Sequence, residues 1–456
     1  MLIKEEKIQI TEGPILSSMI KYAIPLVLAS LIQVAFNMAD QIVLSYMAGT
    51  EAVASVGACT QMCGLAVNLF CGLSAGVSVV LARYAGAGDV KNVRKTVNTT
   101  MVSSLVLGII ATAGSIPFVS AYLTVTKCTA TCFAEAEIYL TIYLAAMPAM
   151  LVYNFGSTVL RVSGDSKTPL FYMVFAGLLN IGLNIILCLT LSHKVAAVAI
   201  ATLASQVLGA ILVTIHLLRI KNMFRFSLKE GLNFSWSVFG KILRYGLPGA
   251  LNSCMYSISN MQIQSAINEY GDPAIAGVSA GATIESLIAS FNTSYNTTML
   301  TYVGQNLGAG NKQRVKKSIM SCLLIGIVSV SVVSLLIGIF KRPLLLAYLN
   351  GDAEAASYGA IRMTYIGNWY TIACINNCLA AIVQAFGYSW IVMLDGFVNI
   401  IMFRAMWMAV VYPVHHNFHW LMLCYTVSWI LVMTTRTIIV GVLWRRYSKK
   451  GKVRRI

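Results

Sequence analysis

Tyr84-Ala-Gly-Ala-Gly-Asp-Val-Lys-Asn-Val-Arg-Lys-Thr-Val97 returns, 222 positions later, as Asn306-Leu-Gly-Ala-Gly-Asn-Lys-Gln-Arg-Val-Lys-Lys-Ser-Ile319. Ala54-Ser-Val-Gly-Ala58 pairs with Ala276-Gly-Val-Ser-Ala280 at the same shift. Pro25 pairs with Pro248, and Asn37-Met38 with Asn260-Met261, at a shift of 223, so one single-residue gap reconciles the two registers. Each copy of the polar turn sits between long apolar runs. The chain is therefore an internal duplication, and the architecture must accommodate two equivalent halves.

Those runs decide the solvent. Of 456 residues, 58% are hydrophobic and 11% charged; a soluble domain has about 25% charged residues. Stretches such as Val195 to Leu218 and Cys322 to Phe340 are long enough to cross a bilayer as helices. Barrel strands alternate apolar and polar residues, and these runs do not. The expected fold is an all-α membrane protein with twelve spans, at about 17–46, 53–82, 94–122, 134–160, 168–192, 195–220, 240–268, 275–303, 315–341, 354–384, 390–413 and 418–444. Six spans return the chain to its starting side, so the repeats are parallel and related by an axis along the membrane normal. The expected division is an N-terminal lobe at 1–219, a basic linker at 220–240 and a C-terminal lobe at 241–456.

Lys and Arg total 33 against 16 Asp and Glu. With these spans, 26 basic residues fall on one side and four, Lys127, Lys194, Lys341 and Arg342, on the other. The positive-inside rule then places both termini in the cytoplasm and makes the basic tail a topology anchor near anionic lipid. Nucleic acid is not needed to explain the charge and is not expected as a partner. No cleavable leader is expected, because Lys4, Glu5, Glu6 and Lys7 precede a first run long enough to span. Eleven cysteines do not make a disulfide framework; only Cys128 and Cys132, in one external loop, are candidates to pair.

The polar residues inside spans carry the functional information. Asp40 lies in the first span, where an ionisable group costs roughly 2.5–3.5 kcal/mol on insertion scales and faces a cavity or a partner. Desolvation disfavours its charged form, which suits it to load and release a proton near neutral pH. The plain alternative is an interfacial carboxylate that reaches water. Gln33, Asn37 and Asp40 share one helix face. Asn180 and Asn184 are one turn apart on the fifth span, Asn154 and Ser157 lie on the fourth, and Thr202 and Gln206 on the sixth. These groups either satisfy Asp40 and one another around an ion and substrate site, or simply join helices by hydrogen bonds. In the second half Gln262 and Gln264 stand where Asp40 would map, and Glu285 in the eighth span is the best second acid. Pro25 and Pro248 must kink or loosen their helices. Asp395 is expected at the interface, and Arg436 is expected to snorkel to the cytoplasmic side. Arg404 sits deeper and needs a carboxylate or carbonyl partner.

The chain resembles the multidrug and toxic compound extrusion (MATE) family of cation-coupled efflux transporters, in its bacterial form. The resemblance rests on Thr11-Glu-Gly-Pro14, Pro25, Gln33, Phe36-Asn-Met-Ala-Asp40 and the Gly49 to Gly57 turn. In the second half it rests on Gly246-Leu-Pro-Gly249, Ser257-Ile-Ser-Asn260, Ile263-Gln-Ser-Ala-Ile-Asn268 and Gly304-Gln-Asn-Leu-Gly-Ala-Gly310. It implies two six-helix lobes in a bacterial cytoplasmic membrane and export of organic cations or amphiphiles against inward H⁺ or Na⁺, with no other cofactor. It also implies that Asp40 is the ion-binding acid of the first helix and that bending at Pro25 follows its protonation. Family members often carry Asp where this chain has Asn184, which removes one anionic ligand from a Na⁺ site. A monomer is expected. A flippase of a lipid-linked precursor is the alternative, but it would favour a strongly basic cleft.

Three motifs are decoys. Gly72-Leu-Ser-Ala-Gly76 matches a hydrolase elbow, but lies inside an apolar helix instead of a strand–turn–helix. His415-His416-Asn-Phe-His419 has metal-like spacing without an acid or thiol nearby in sequence. Gly86-Ala-Gly88 and Gly308-Ala-Gly310 are turns with no following Gly-Lys-Ser/Thr. No paired catalytic groups lie in the spans, and neither an enzyme nor a metal site is expected.

Overall fold

A computed structural model describes residues 9–126, 128, 130–191, 193–231 and 234–450, without the side chains of residues 41, 42, 45, 48–51, 53, 54, 130, 230, 231 and 450. Lys4, Lys7, Lys127 and the last six residues of the basic tail lie outside this range. The described residues are helical, with no strand among them. Inside a bilayer the helix satisfies its own backbone polar groups, which is why apolar runs of this length adopt it.

Among the described residues ten helices are long and apolar enough to cross a membrane, and their limits follow the expected spans to within about seven residues. A further pair, Thr131–Ala145 and Met147–Val162, passes the same test of length and composition only when its two helices are taken together, and is bent by 41°. Pro148 stands at the start of its second half, and the missing N–H there accounts for the break. The expected span at 240–268 is a single helix, Trp236–Asn268, of 33 residues. It is long enough, but its composition does not mark it as a crossing, because Asn252, Ser253, Ser257, Ser259, Asn260, Gln262 and Gln264 fill its second half. Helical backbone also runs unbroken through Ile15–Gly86, where a connection near 47–52 was expected; the apolar spans within it are Ile15–Asp40 and Ser55–Gly86.

The repeated turn has the same structure in both copies. Gly88 and Gly310 hold φ near +68° and +70°, a left-handed conformation that a side chain disfavours. Asp89 N–H reaches back to Tyr84 O at 3.0 Å, and Asn311 N–H to Asn306 O at 3.1 Å. Each of those residues then caps the next helix: Asp89 accepts from Asn92 N and Asn311 from Arg314 N, both at 3.0 Å. Asp and Asn interchange between the copies because both are N-cap acceptors.

The chain forms two compact units, one at residues 28–243 and the other at residues 9–27 with 244–456. This differs from the division expected at 1–219, 220–240 and 241–456. The lead-in belongs with the second unit because Arg314 donates to the carbonyls of Gly13 (2.9 Å), Glu12 (3.0 Å) and Ile10 (3.2 Å), and Tyr302 Oη donates to Ser18 Oγ at 3.3 Å. The supposed linker is not free either. Ser227 N donates to Asn98 Oδ1 at 3.0 Å and Ser235 N to Thr99 Oγ1 at 3.3 Å, which docks it on the first unit.

In the second unit, Gly277 and Gly359 let two helices touch by backbone: a Cβ on Gly277 would meet Ala355 O at 2.0 Å, and one on Gly359 would meet Gly277 O at 2.7 Å. Gly277→Ala should therefore destabilise by about 1–3 kcal/mol, the usual cost of overpacking. Gly240→Ala, with open space around the new methyl, should leave stability unchanged or raise it by about 0.5–1 kcal/mol through helix propensity. Thermal unfolding of the two variants in detergent checks this.

Candidate functional site

The first unit gathers its polar groups around one carboxylate. Asn184 Nδ2 donates to Asp40 Oδ1 at 2.7 Å and to Asn180 Oδ1 at 3.3 Å, and Asn180 Nδ2 donates to Thr202 Oγ1 at 3.4 Å. Thr202 closes the chain by donating to Val198 O at 3.0 Å. Three of the expected residues, Asn180, Asn184 and Thr202, thus form one relay leading from Asp40. Asn184 is fully buried, Asn180 nearly so, and Asp40 is half-exposed. Asn184 Oδ1 is buried and accepts nothing.

Packing holds this geometry. Phe36, one turn before Asp40, packs on the backbone at Gly177, where a Cβ would come within 1.9 Å of its ring. Gly177, Asn180 and Asn184 follow at spacings of three and four on the Lys167–Thr190 helix, so they share the face that meets the first span. Phe36 on Gly177 therefore sets the height at which Asp40 meets Asn184.

Other expected residues are not brought into the relay. Gln33, Asn37 and Gln262 are exposed, and Gln206 is half-buried. Asn154 donates to Met150 O of its own helix at 2.8 Å, and Gln264 to Asn268 Oδ1 at 2.9 Å. Ser157 is buried. Pro25 and Pro248 are buried within continuous helices.

The second unit treats its acids differently. Glu285 Oε2 accepts from Arg362 Nη2 at 2.8 Å and Nε at 3.2 Å. Glu285 is thus neutralised in place, while Asp40 meets an uncharged amide. Asp395 and Arg436, expected at the interface and snorkelling, are buried against one another. Arg436 Nε donates to Asp395 Oδ2 at 2.7 Å, both side chains are almost fully buried, and Asn399 and Thr435 also donate to Asp395. The partner is a buried carboxylate 41 residues earlier in sequence. Arg404 has no carboxylate partner among the described residues. It donates to Ser428 Oγ, Ser259 Oγ and Asn260 Oδ1, and stacks its guanidinium 4.4 Å from the Tyr425 ring centre. Sequence reading missed all four partners. The one available signal was Asn260, the repeat mate of Asn37.

The decoys resolve simply. Ser74 of Gly72-Leu-Ser-Ala-Gly76 donates to Phe70 O within its own helix at 2.9 Å. His415 stacks on Trp420 at 4.0 Å, and no cluster of metal-ligating side chains occurs among the described residues. Cys128 and Cys132 are not joined by a disulfide.

Known proteins match this chain along most of its length. The MatE family matches residues 25–186 and 248–408, one match per repeat, starting at Pro25 and at Pro248. A probable multidrug resistance protein of Bacillus subtilis, YpnP, is 26% identical over 377 residues, which is 83% of this chain and 84% of that protein. An FAD transporter of Shewanella oneidensis is 23% identical, over 73% of this chain and 74% of its own length. The crystal structure of a MATE protein in the bent conformation superposes with a TM-score of 0.86 at 20% identity, over 98% of this chain and 100% of that one. That structural likeness speaks for the fold.

The acids should separate in a stability measurement. Glu285→Gln strands the Arg362 charge and should cost about 3–5 kcal/mol, as breaking a buried pair does. Asp40→Asn keeps an acceptor for Asn184 and should cost less than about 1 kcal/mol. Thermal unfolding of purified variants reads the difference.

Proposed function

Because the chain belongs to the MATE family of multi-pass membrane transporters, we propose that it is a secondary active exporter, working by alternating access, that moves organic cations or amphiphiles outward in exchange for H⁺ taken at Asp40. The supporting observation is the 2.7 Å bond from Asn184 Nδ2 to Asp40 Oδ1. A carboxylate held by a neutral amide keeps the freedom to bind a proton, which an arginine partner such as that of Glu285 would remove.

The amide also offers both halves of the exchange. Ionised Asp40 accepts from Asn184 Nδ2. Protonated Asp40 becomes a donor, and Asn184 can rotate to present Oδ1, which accepts nothing while Nδ2 faces Asp40. That rotation withdraws the donor to Asn180 and rearranges the relay to Thr202. Proton loading is thereby converted into a change of hydrogen bonding between helices. The outward-facing state takes the proton and releases substrate; the inward-facing state releases the proton and takes substrate from the cytoplasm or the inner leaflet. Substrate and proton must exclude one another, directly or through conformation, or the gradient would leak.

H⁺ is preferred to Na⁺ because Asn184 supplies no second negative ligand beside Asp40. The family is one of transporters, and no enzymatic step is assigned. The asymmetry of basic residues favours the cytoplasmic membrane with both termini inside; the protein is read as a monomer whose partners are lipid and a small-molecule substrate. A lipid-linked precursor flippase is the less favoured reading, because the first unit presents an acid and amides.

Reconstituted liposomes test this. With an imposed proton gradient the wild type should accumulate a fluorescent organic cation, and Asp40→Asn should lose that movement by at least about a hundredfold if the carboxylate carries the coupling proton. A mutant that pumps like the wild type would refute the assignment. Asn184→Asp sets two carboxylates side by side, which then share a proton or a cation. That variant should become more heat-stable as Na⁺ is added, while the wild type should not respond.

A further inference from the structure

Arg362, Arg404 and Arg436 of the second unit lie deep within apolar helices, and they are not compensated alike. Arg362 has Glu285 and Arg436 has Asp395. Arg404 has no carboxylate within 4.0 Å among the described residues, although it is the least exposed of the three. An arginine does not shed its proton in a protein, so its charge remains. It stands midway along the Ser389–His415 span, where lipid headgroups are out of reach.

Two further observations single out this position. Arg404 lies on one α-helical turn, Phe403–Met406, between two π-helical segments, Phe397–Met402 and Trp407–Val411. Such widened turns cost helix stability and occur frequently at functional sites. One ligand of the guanidinium is also replaceable. Asn260 Oδ1 accepts from Arg404 Nη1 at 3.0 Å, and Asn260 itself is exposed, with Gln264 one turn further along the same helix face. On a membrane helix, exposed amides belong on a water-filled or substrate-filled face. An incoming oxyanion that displaces the Asn260 amide exchanges a neutral acceptor for a charged one and forms the stronger bond. Ser259, Ser428 and Tyr425 keep the guanidinium in place during that exchange.

We propose that Arg404, reached through Asn260, recognises a carboxylate or phosphate on the transported amphiphile. This rests on the export reading and narrows its substrate class: favoured substrates carry an anionic group, alone or together with a cationic one. A purely cationic amphiphile leaves Arg404 unanswered.

Tetramethylrhodamine and its methyl ester keep the same cationic ring system and differ in one free carboxylate. Fluorescence polarisation with the purified full-length protein, in a neutral detergent and with no gradient, should show the wild type binding the carboxylate dye at least about tenfold more tightly than the ester. In Arg404→Gln the carboxylate dye should lose about ten- to a hundredfold in affinity while the ester changes less than about threefold, since only the charged bond is removed. Asn260→Ala uncovers Nη1 and should preserve or increase the preference, which keeps the proposal testable should Arg404→Gln fail to fold. Equal binding of the two dyes by wild type, or a folded Arg404→Gln that keeps the preference, would overturn it. Displacement of the carboxylate dye by phosphatidylglycerol but by no transported compound would assign the site to lipid and overturn it as substrate recognition. Because no gradient is used, the result is independent of whether Asp40 couples transport to protons.

Discussion

No water reaches the middle of a bilayer to solvate a charge, so each ionised side chain there must be answered by the protein itself. This constraint orders the interior of the chain. Glu285 is answered by Arg362, Asp395 by Arg436 with Asn399 and Thr435, and Arg404 by two hydroxyls, an amide and an aromatic face. Among the described residues Asp40 is met by one amide, Asn184, itself buried and tied to Asn180, which reaches Thr202. The strongly paired groups hold the fold. Those answered only by neutral partners retain capacity to bind something else, and the functional argument rests on them.

The duplication makes the contrast sharper. Both copies use the same left-handed glycine and the same capped turn, so the scaffold was retained after the repeat arose. The polar chemistry was not. Asn37 is exposed three residues before a lone acid, whereas its mate Asn260 contacts a lone base. The two units therefore share a backbone plan and carry opposite unpaired charges. A transporter built this way can assign ion coupling to one unit and substrate recognition to the other.

The helical membrane fold was legible in the sequence because it depends on local quantities: run length, composition and the repeated Gly-Ala-Gly turn. Most span limits came out within a few residues for the same reason. The helix Trp236–Asn268 forms where a span at 240–268 is expected, although its polar second half keeps its composition from marking it as a crossing. Asp40 and its neighbours Asn180, Asn184 and Thr202 could be nominated because ionisable and amide groups are rare in spans. Their pairing could not be read, since Asp40 and Asn184 are 144 residues apart. The same limit hid the partners of Arg404 and Arg436, and the attachment of residues 9–27 to the second unit through Arg314. Asn37 shares a helix face with Asp40, yet helical spacing alone could not say that the neighbouring helix presents no partner to it.

The central claim is that Asp40 is the group that takes up and releases the proton. Infrared difference spectroscopy of the protein in lipid, titrated between acid and alkaline pH, reads that directly as a carbonyl band of a protonated carboxyl. The account predicts a band that disappears in Asp40→Asn and shifts in Asn184→Ala, where the hydrogen-bonding amide is gone. A band unchanged in both variants would place the titrating group elsewhere and contradict the account.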